Sequence, residues 1–140
     1  MKKYVLDASV ILKWVLGEDK EADQKSAWNI LNAWVNGSVE LAAPTLWQYE
    51  VGNFLGRMLH HEAVEKMDSL LELGIKSVDL NERITRRCFT WMQKNKVTFY
   101  DASYLAVAVE IQALLVTADE KFVRKMSKMG PIALLRDLEL

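Results

Sequence analysis

YVLDASVILKW, residues 4–14, sets an acid between two apolar runs. Tyr4, Val5 and Leu6 lead straight into Asp7, and after Ala8 and Ser9 the apolar residues resume with Val10, Ile11 and Leu12. A carboxylate resists leaving water unless it is hydrogen-bonded or matched by a cation. An apolar strand that stops at an acid fits the C-terminal end of a buried parallel strand, where open α/β sheets place their ligand crevice. Residues 2–6 therefore read as a short buried strand with Asp7 at its edge.

The rest of the chain alternates helix and strand. Ala27, Ile30, Leu31 and Trp34 recur at helical spacing within about 20–36, and Asn36-Gly37 is the stop. VELAAP (39–44) reads as a second strand, and Pro44 suits the first turn of the helix TLWQYEVGNFLGRML. A further helix over about 62–73 halts before Gly74, IKSVDL (75–80) is a third strand, and a helix covers about 82–94. FYDASYLAVAVEIQA is helical and leads into the strand LLVTAD (114–119). A short basic helix and a last strand near IALL follow. Strands separated by helices imply a parallel sheet covered on both faces, an α/β sandwich.

Composition narrows the class. The chain has 140 residues, 51% of them hydrophobic, enough for one core, and no repeat or linker divides it, so residues 1–140 are expected to form a single domain. No apolar run approaches the roughly 18–20 residues that span a bilayer, and Met1–Leu6 is too short for a secretory signal. The single cysteine, Cys88, excludes an internal disulfide framework, fits a reducing cytoplasm and reads as a packed small hydrophobe. A net charge of −1 means that a polyanionic partner would have to be met by a local basic patch or a metal ion.

Most of the 19 acids read as solvated helix faces, such as Glu62 with Lys66 and Glu72 near Lys76 at i,i+4 spacing. Four do not. Asp7 and Asp119 end apolar strands, Glu50 shares a helix face with Leu46, Trp47 and Phe54, and Asp101 shares one with Val97, Leu105 and Ala108. Each taken singly has an ordinary reading as a cap or a buried acid held by backbone amides. Asp101, for instance, could cap a helix starting at Ala102. Four together pose an electrostatic question, since two like charges about 4 Å apart repel by roughly 4 kcal/mol at an effective dielectric of 20. The sequence places no Arg or Lys beside any of them on its apolar face, although Lys121 is near Asp119. Such a cluster takes up protons or binds a cation, and oxygen ligands without His or Cys favour Mg²⁺ or Mn²⁺. A hard ion held by carboxylates is equipment for hydrolysing phosphodiesters.

YVLDASVILKW, PTLWQYEVGNFL, FYDASYLAVA and LLVTADEKF, in that order and spacing, resemble the four signature blocks of PIN-domain ribonucleases, and most closely the VapC-type toxins of prokaryotic toxin–antitoxin pairs. The resemblance covers essentially the whole chain. It implies a three-layer α/β/α sandwich with a central parallel sheet, and a metal-dependent endoribonuclease that leaves a 3′-hydroxyl and a 5′-phosphate. Carried over residue by residue, the acidic metal site falls on Asp7, Glu50, Asp101 and Asp119. Asp7 becomes the central ligand and Asp101 its direct partner, while Glu50 and Asp119 contact the metal or its waters. Ser9 and Thr117 match the family's small hydroxyl positions, and Asn53 matches its E-x-x-N, placed to orient Glu50 or a bound water. A homodimer is implied by the resemblance alone.

RNA contacts are less determined. Lys121, Arg124, Lys125 and Lys128 follow Asp119 and are the preferred phosphate contacts; Arg83, Arg86, Arg87, Lys94 and Lys96 form a second basic stretch. Both also read as ordinary solvated faces. His60-His61 lacks the second His of H-E-x-x-H. Trp34 and Trp47 lie at apolar helix positions and favour the core. A toxin requires an inhibitor made alongside it, so a small antitoxin is expected to cover the acidic crevice and insert an Arg or Lys, with Trp14 and Trp28 available to the interface. Two other classes stay open at this point. One is a catalytically silent PIN-fold interaction module. The other is a phosphoryl-handling α/β domain, although a receiver would carry paired acids after its first strand and a phosphatase an acid where Ser9 stands.

Overall fold

The computed structural model describes residues 1–17 and 23–140. Among them five strands form one sheet: β1 (Lys2–Leu6), β2 (Val39–Pro44), β3 (Lys76–Val78), β4 (Leu114–Thr117) and β5 (Ile132–Leu134). The spatial order is β3-β2-β1-β4-β5 and every neighbouring pair is parallel. β1 is the central strand, with Tyr4 beside Leu41 on one side and Leu114 on the other. Successive residues of a strand point to opposite faces, and Tyr4, Val5 and Leu6 are all buried, so both faces of the sheet are covered.

Seven α-helices among the described residues supply that cover: α1 (Ala8–Lys13), α2 (Gln24–Val35), α3 (Leu46–Met58), α4 (Ala63–Glu72), α5 (Glu82–Lys94), α6 (Phe99–Glu110) and α7 (Glu120–Met126). α6 packs over β1, β2 and β4 with α5 against it, while α1 packs on β1 and β4 and touches α2 and α3. The expected α/β sandwich with a parallel sheet is the observed one. α6 is buried on every residue from Ala102 to Ala108, which explains its nearly continuous apolar sequence.

Gly37 and Gly74 hold φ of +82° and +71° just past α2 and α4, the left-handed conformation that ends helices and that glycine adopts without steric cost. α2 is tied back to the segment before it, since Gln24 Nε2 donates to Lys13 O at 2.8 Å and Trp14 Nε1 to Ala27 O at 2.8 Å.

Several expectations change. α1 was not anticipated from the sequence. Of the helix expected over 20–36, residues 20–22 lie outside the described residues, and the described part starts at Gln24. The third strand occupies only Lys76–Val78 of the six residues proposed. Pro44 closes β2 instead of opening α3, whose N-cap is Thr45. Glu72 ends α4 while Lys76 opens β3, so they are not a helical pair, whereas Glu62 and Lys66 do approach to 3.8 Å. Trp47 is 1% exposed, Trp34 and Trp14 are half-buried against the core, and Cys88 is fully buried with its thiol pushed by burial up to about 11. No helix among the described residues is long and apolar enough to cross a membrane.

Candidate active site

Asp7 is the first residue past β1. Its amide donates to Val116 O at 3.3 Å, so the backbone stays in the sheet for one more step. The chain then turns into α1 with Asp7 as N-cap: Oδ1 accepts from Ser9 N at 3.1 Å, Val10 N at 3.4 Å and Ser9 Oγ at 2.5 Å. Oδ2 accepts from Thr117 Oγ1 at 2.5 Å. Asp7 is thus a helix cap, as its ordinary reading holds, but one lodged 6% exposed between the ends of the two central strands. Burial pushes its carboxyl up from 3.8 to about 6. Ser9, Thr117 and Val10 oppose that shift, and the negative charge of Glu50 adds to it.

The two small hydroxyls singled out in the sequence both serve this carboxylate, and each has a second duty. Ser9 Oγ accepts from Ala118 N at 3.1 Å, and Thr117 Oγ1 accepts from Asp119 N at 3.1 Å. They lace the end of β1 to the end of β4 and fix the turn that presents Asp119. Asp119 caps α7, with Oδ1 accepting from Lys121 N at 2.9 Å and Phe122 N at 3.2 Å, and is exposed.

Asp101 is not the cap of its helix. α6 begins at Phe99 and its N-cap is Thr98, whose Oγ1 accepts from Asp101 N at 3.0 Å, so Asp101 sits in the first turn, where a negative charge is favoured. It is half-buried, and burial raises its carboxyl above the usual range; Lys125 opposes this, Asp119 reinforces it and Thr98 lowers it slightly. Glu50 lies in α3, half-buried, with Oε1 accepting from Tyr104 Oη at 2.5 Å. Burial raises it too, with the Tyr104 bond opposing and Asp101 adding to the rise. The electrostatic influence therefore runs in series from Asp7 to Glu50, Asp101 and Asp119, four acids from four segments at the C-terminal ends of the central strands.

None of the ion pairs among the described residues includes any of these four acids. One cation does reach the cluster, a correction to the sequence reading: Lys125, 24 residues from Asp101 and in the last turn of α7, is close enough to lower its carboxyl. Among the described residues no three His, Cys, Asp or Glu side chains are drawn together closely enough to hold an ion as they stand. The donor set is nonetheless all carboxylate, carries more negative charge than its surroundings balance, and suits a hard divalent ion.

Asn53 is exposed and, with Ser9, Lys13 and Glu50, lines a cleft of about 560 Å³; among the described residues it makes no hydrogen bond to Glu50. Of the basic residues, Arg124 pairs with Glu120 at 3.8 Å, Arg86 with Glu82 at 2.5 Å and Arg87 with Glu110 at 3.0 Å, while Lys121 is exposed beside Asp119. Tyr104 was missed in the sequence. Its only signal there is its position three residues after Asp101 on one helix face, which a core aromatic would share.

Residues 4–127 match the PIN domain family. Ribonuclease VapC3 of Pyrobaculum aerophilum is 29% identical over 131 residues, covering 88% of this chain and 94% of that protein. Ribonuclease VapC1 of Mycobacterium tuberculosis is 25% identical over 140 residues, covering 97% and 100%. The crystal structure of VapBC2 from Rickettsia felis bound to a promoter DNA fragment contains the same fold, with a TM-score of 0.71 at 15% identity over 94% of this chain and 98% of that one. Fold and extent of the match agree: the chain belongs to the PIN domain family.

Proposed function

We propose that this chain, acting as one PIN unit over residues 1–140, is an Mg²⁺- or Mn²⁺-dependent endoribonuclease and the toxin of a toxin–antitoxin pair. The observation that carries the reading is the run of four carboxylates, Asp7, Glu50, Asp101 and Asp119, three of them raised by burial and by one another and none ion-paired among the described residues. The names of the two relatives, both VapC ribonucleases, support the same activity. Asp7 and Asp101 would hold the ion, with Glu50 and Asp119 beside them. A bound Mg²⁺ or Mn²⁺ would supply charge neutralisation on the scissile phosphate and a more acidic water. Ser9 and Thr117 keep the Asp7 carboxylate in place, and Asn53 in the adjoining cleft is free to contact substrate or Glu50. Lys121, Arg124 and Lys125 on α7 are the proposed phosphate contacts; Arg124 would exchange Glu120 for phosphate.

The expected partners are RNA, a second copy of the chain and a small antitoxin, in a cytoplasmic setting. A toxin–antitoxin complex from Klebsiella pneumoniae that shares the fold, with a TM-score of 0.68 at 16% identity over 96% of this chain and 99% of that one, supports the pairing with an antitoxin. An inserted Arg or Lys from that partner would answer the same excess of negative charge that a cation answers. The test is cleavage of a mixed RNA substrate by purified protein. Activity with Mg²⁺ or Mn²⁺, its loss in EDTA and its loss in Asp7→Asn are expected; undiminished cleavage in EDTA removes the metal mechanism.

A further inference from the structure

We propose that Tyr104 is a positioning residue that sets where the Glu50 carboxylate points and so prepares the site for its cation, an inference that rests on the metal-dependent reading above. Tyr104 is 2% exposed, in the fully buried stretch of α6. Its hydroxyl donates to Glu50 Oε1 at 2.5 Å, across from α6 to α3. One oxygen atom thus joins α6, which carries Asp101, to α3, which carries Glu50.

Packing alone does not ask for that oxygen. Phenylalanine would fill the same volume in α6, whereas a buried phenol must find a hydrogen-bond partner. The partner is an acid, and the half-buried glutamate has three side-chain torsions that would otherwise let it sample several directions. The tether engages Oε1 and, among the described residues, leaves Oε2 without a hydrogen bond. A cation requires that combination, a carboxylate held in place with one anionic oxygen unengaged. Groups that orient a metal's ligands in this way typically contribute about 10–100-fold to affinity or activity.

The experiment compares wild type with Tyr104→Phe, which removes one oxygen atom. Without metal, the side-chain carboxyl ¹³C resonance of Glu50 should move and broaden in the variant. With metal, Mn²⁺ affinity by calorimetry should fall about 10–100-fold, and kcat for RNA cleavage should fall with it, while KM for RNA stays within about twofold. An unmoved Glu50 resonance overturns the positioning claim whatever the metal does. A moved resonance with unchanged Mn²⁺ affinity overturns the link to the site and makes the bond purely structural. A moved resonance in a protein whose wild type binds no Mn²⁺ overturns the metal reading instead, and with it the role assigned here. Glu50→Ala keeps the test open if Tyr104→Phe folds poorly: the Tyr104 phenol proton, protected from exchange in wild type, should exchange rapidly once its acceptor is gone, and unchanged protection overturns the proposal.

Discussion

Replacing Asp7 by Asn removes one negative charge and changes the shape of the side chain very little. In the metal-free protein the carboxyl moves from 3.8 to about 6 on folding, which at about 1.4 kcal/mol per pH unit costs the folded state about 3 kcal/mol at neutral pH. The sign follows from the direction. A raised carboxyl favours the folded state when protonated, so its contribution is complete below about pH 4 and is lost as pH climbs through about 6. Asn keeps an Oδ1 to accept from Ser9 N, Val10 N and Ser9 Oγ, so the cap of α1 survives. It loses the hydroxyl bond from Thr117, whose oxygen must now accept from Nδ2, at a cost of about 1 kcal/mol. The net is a variant more stable than wild type by about 2 kcal/mol at pH 7.5, a rise in Tm of about 6 °C. Thermal melts in EDTA at several pH values should show the gap at pH 7.5 and its closure near pH 4. A lower Tm for Asp7→Asn at pH 7.5, or a gap that ignores pH, would show that the acid is a stabilising cap and refute the argument from crowded charge.

Mg²⁺ or Mn²⁺ at about 100 times Kd should stabilise wild type by about 2.7 kcal/mol, and Asp7→Asn should show no such gain in the same calorimetric scan. Lys125→Ala should weaken RNA binding about uniformly across sequences and reduce the slope of log affinity against log salt by about 1, as measured by titration at several salt concentrations; an unchanged slope places Lys125 outside the RNA path. Thr98→Ala removes the cap of α6 and should destabilise the protein by about 1 kcal/mol in urea unfolding. Expression of wild type in a prokaryotic host should arrest growth, Asp7→Asn should not, and a co-expressed partner encoded beside the gene should restore growth; a harmless wild type at high expression removes the toxin assignment.

The long periodic segments were readable because each carries its own signal. α5 repeats apolar residues every three or four positions and its bounds match the expectation at both ends. α1 was hidden because it is six residues long and starts directly after a strand, too short for a helical period to declare itself, so Val10 to Leu12 read only as a resumed apolar run. The helix read over FYDASYLAVAVEIQA does start at Phe99, and only the alternative of Asp101 as a cap before Ala102 falls, because Thr98, three residues ahead of Asp101, takes that place. At the site, the four acids could be singled out because each breaks an apolar pattern. Tyr104 could not, and Lys125 was singled out only as a phosphate contact, since the bond of Tyr104 to Glu50 and the influence of Lys125 on Asp101 depend on contacts between helices that no local spacing encodes.

The central position of β1 bears on the order in which the molecule can be made. Asp7 leaves a ribosome well before Thr117, which holds its carboxylate and follows 110 residues later. Until Leu114–Thr117 emerges, β1 has a neighbour on one side only, and the seat of Asp7, the turn to Asp119 and the helix bearing Lys125 do not exist. Long-range pairings of this kind form late and slowly in folding. A chain cut short between Asp101 and Leu114 therefore carries Asp7, Glu50 and Asp101 without the strand that binds them into one site. For a protein that cuts RNA, the same topology separates synthesis from activity: a nascent chain still threaded through the machinery that reads messenger RNA has no assembled cutting site until β4 and α7 are out.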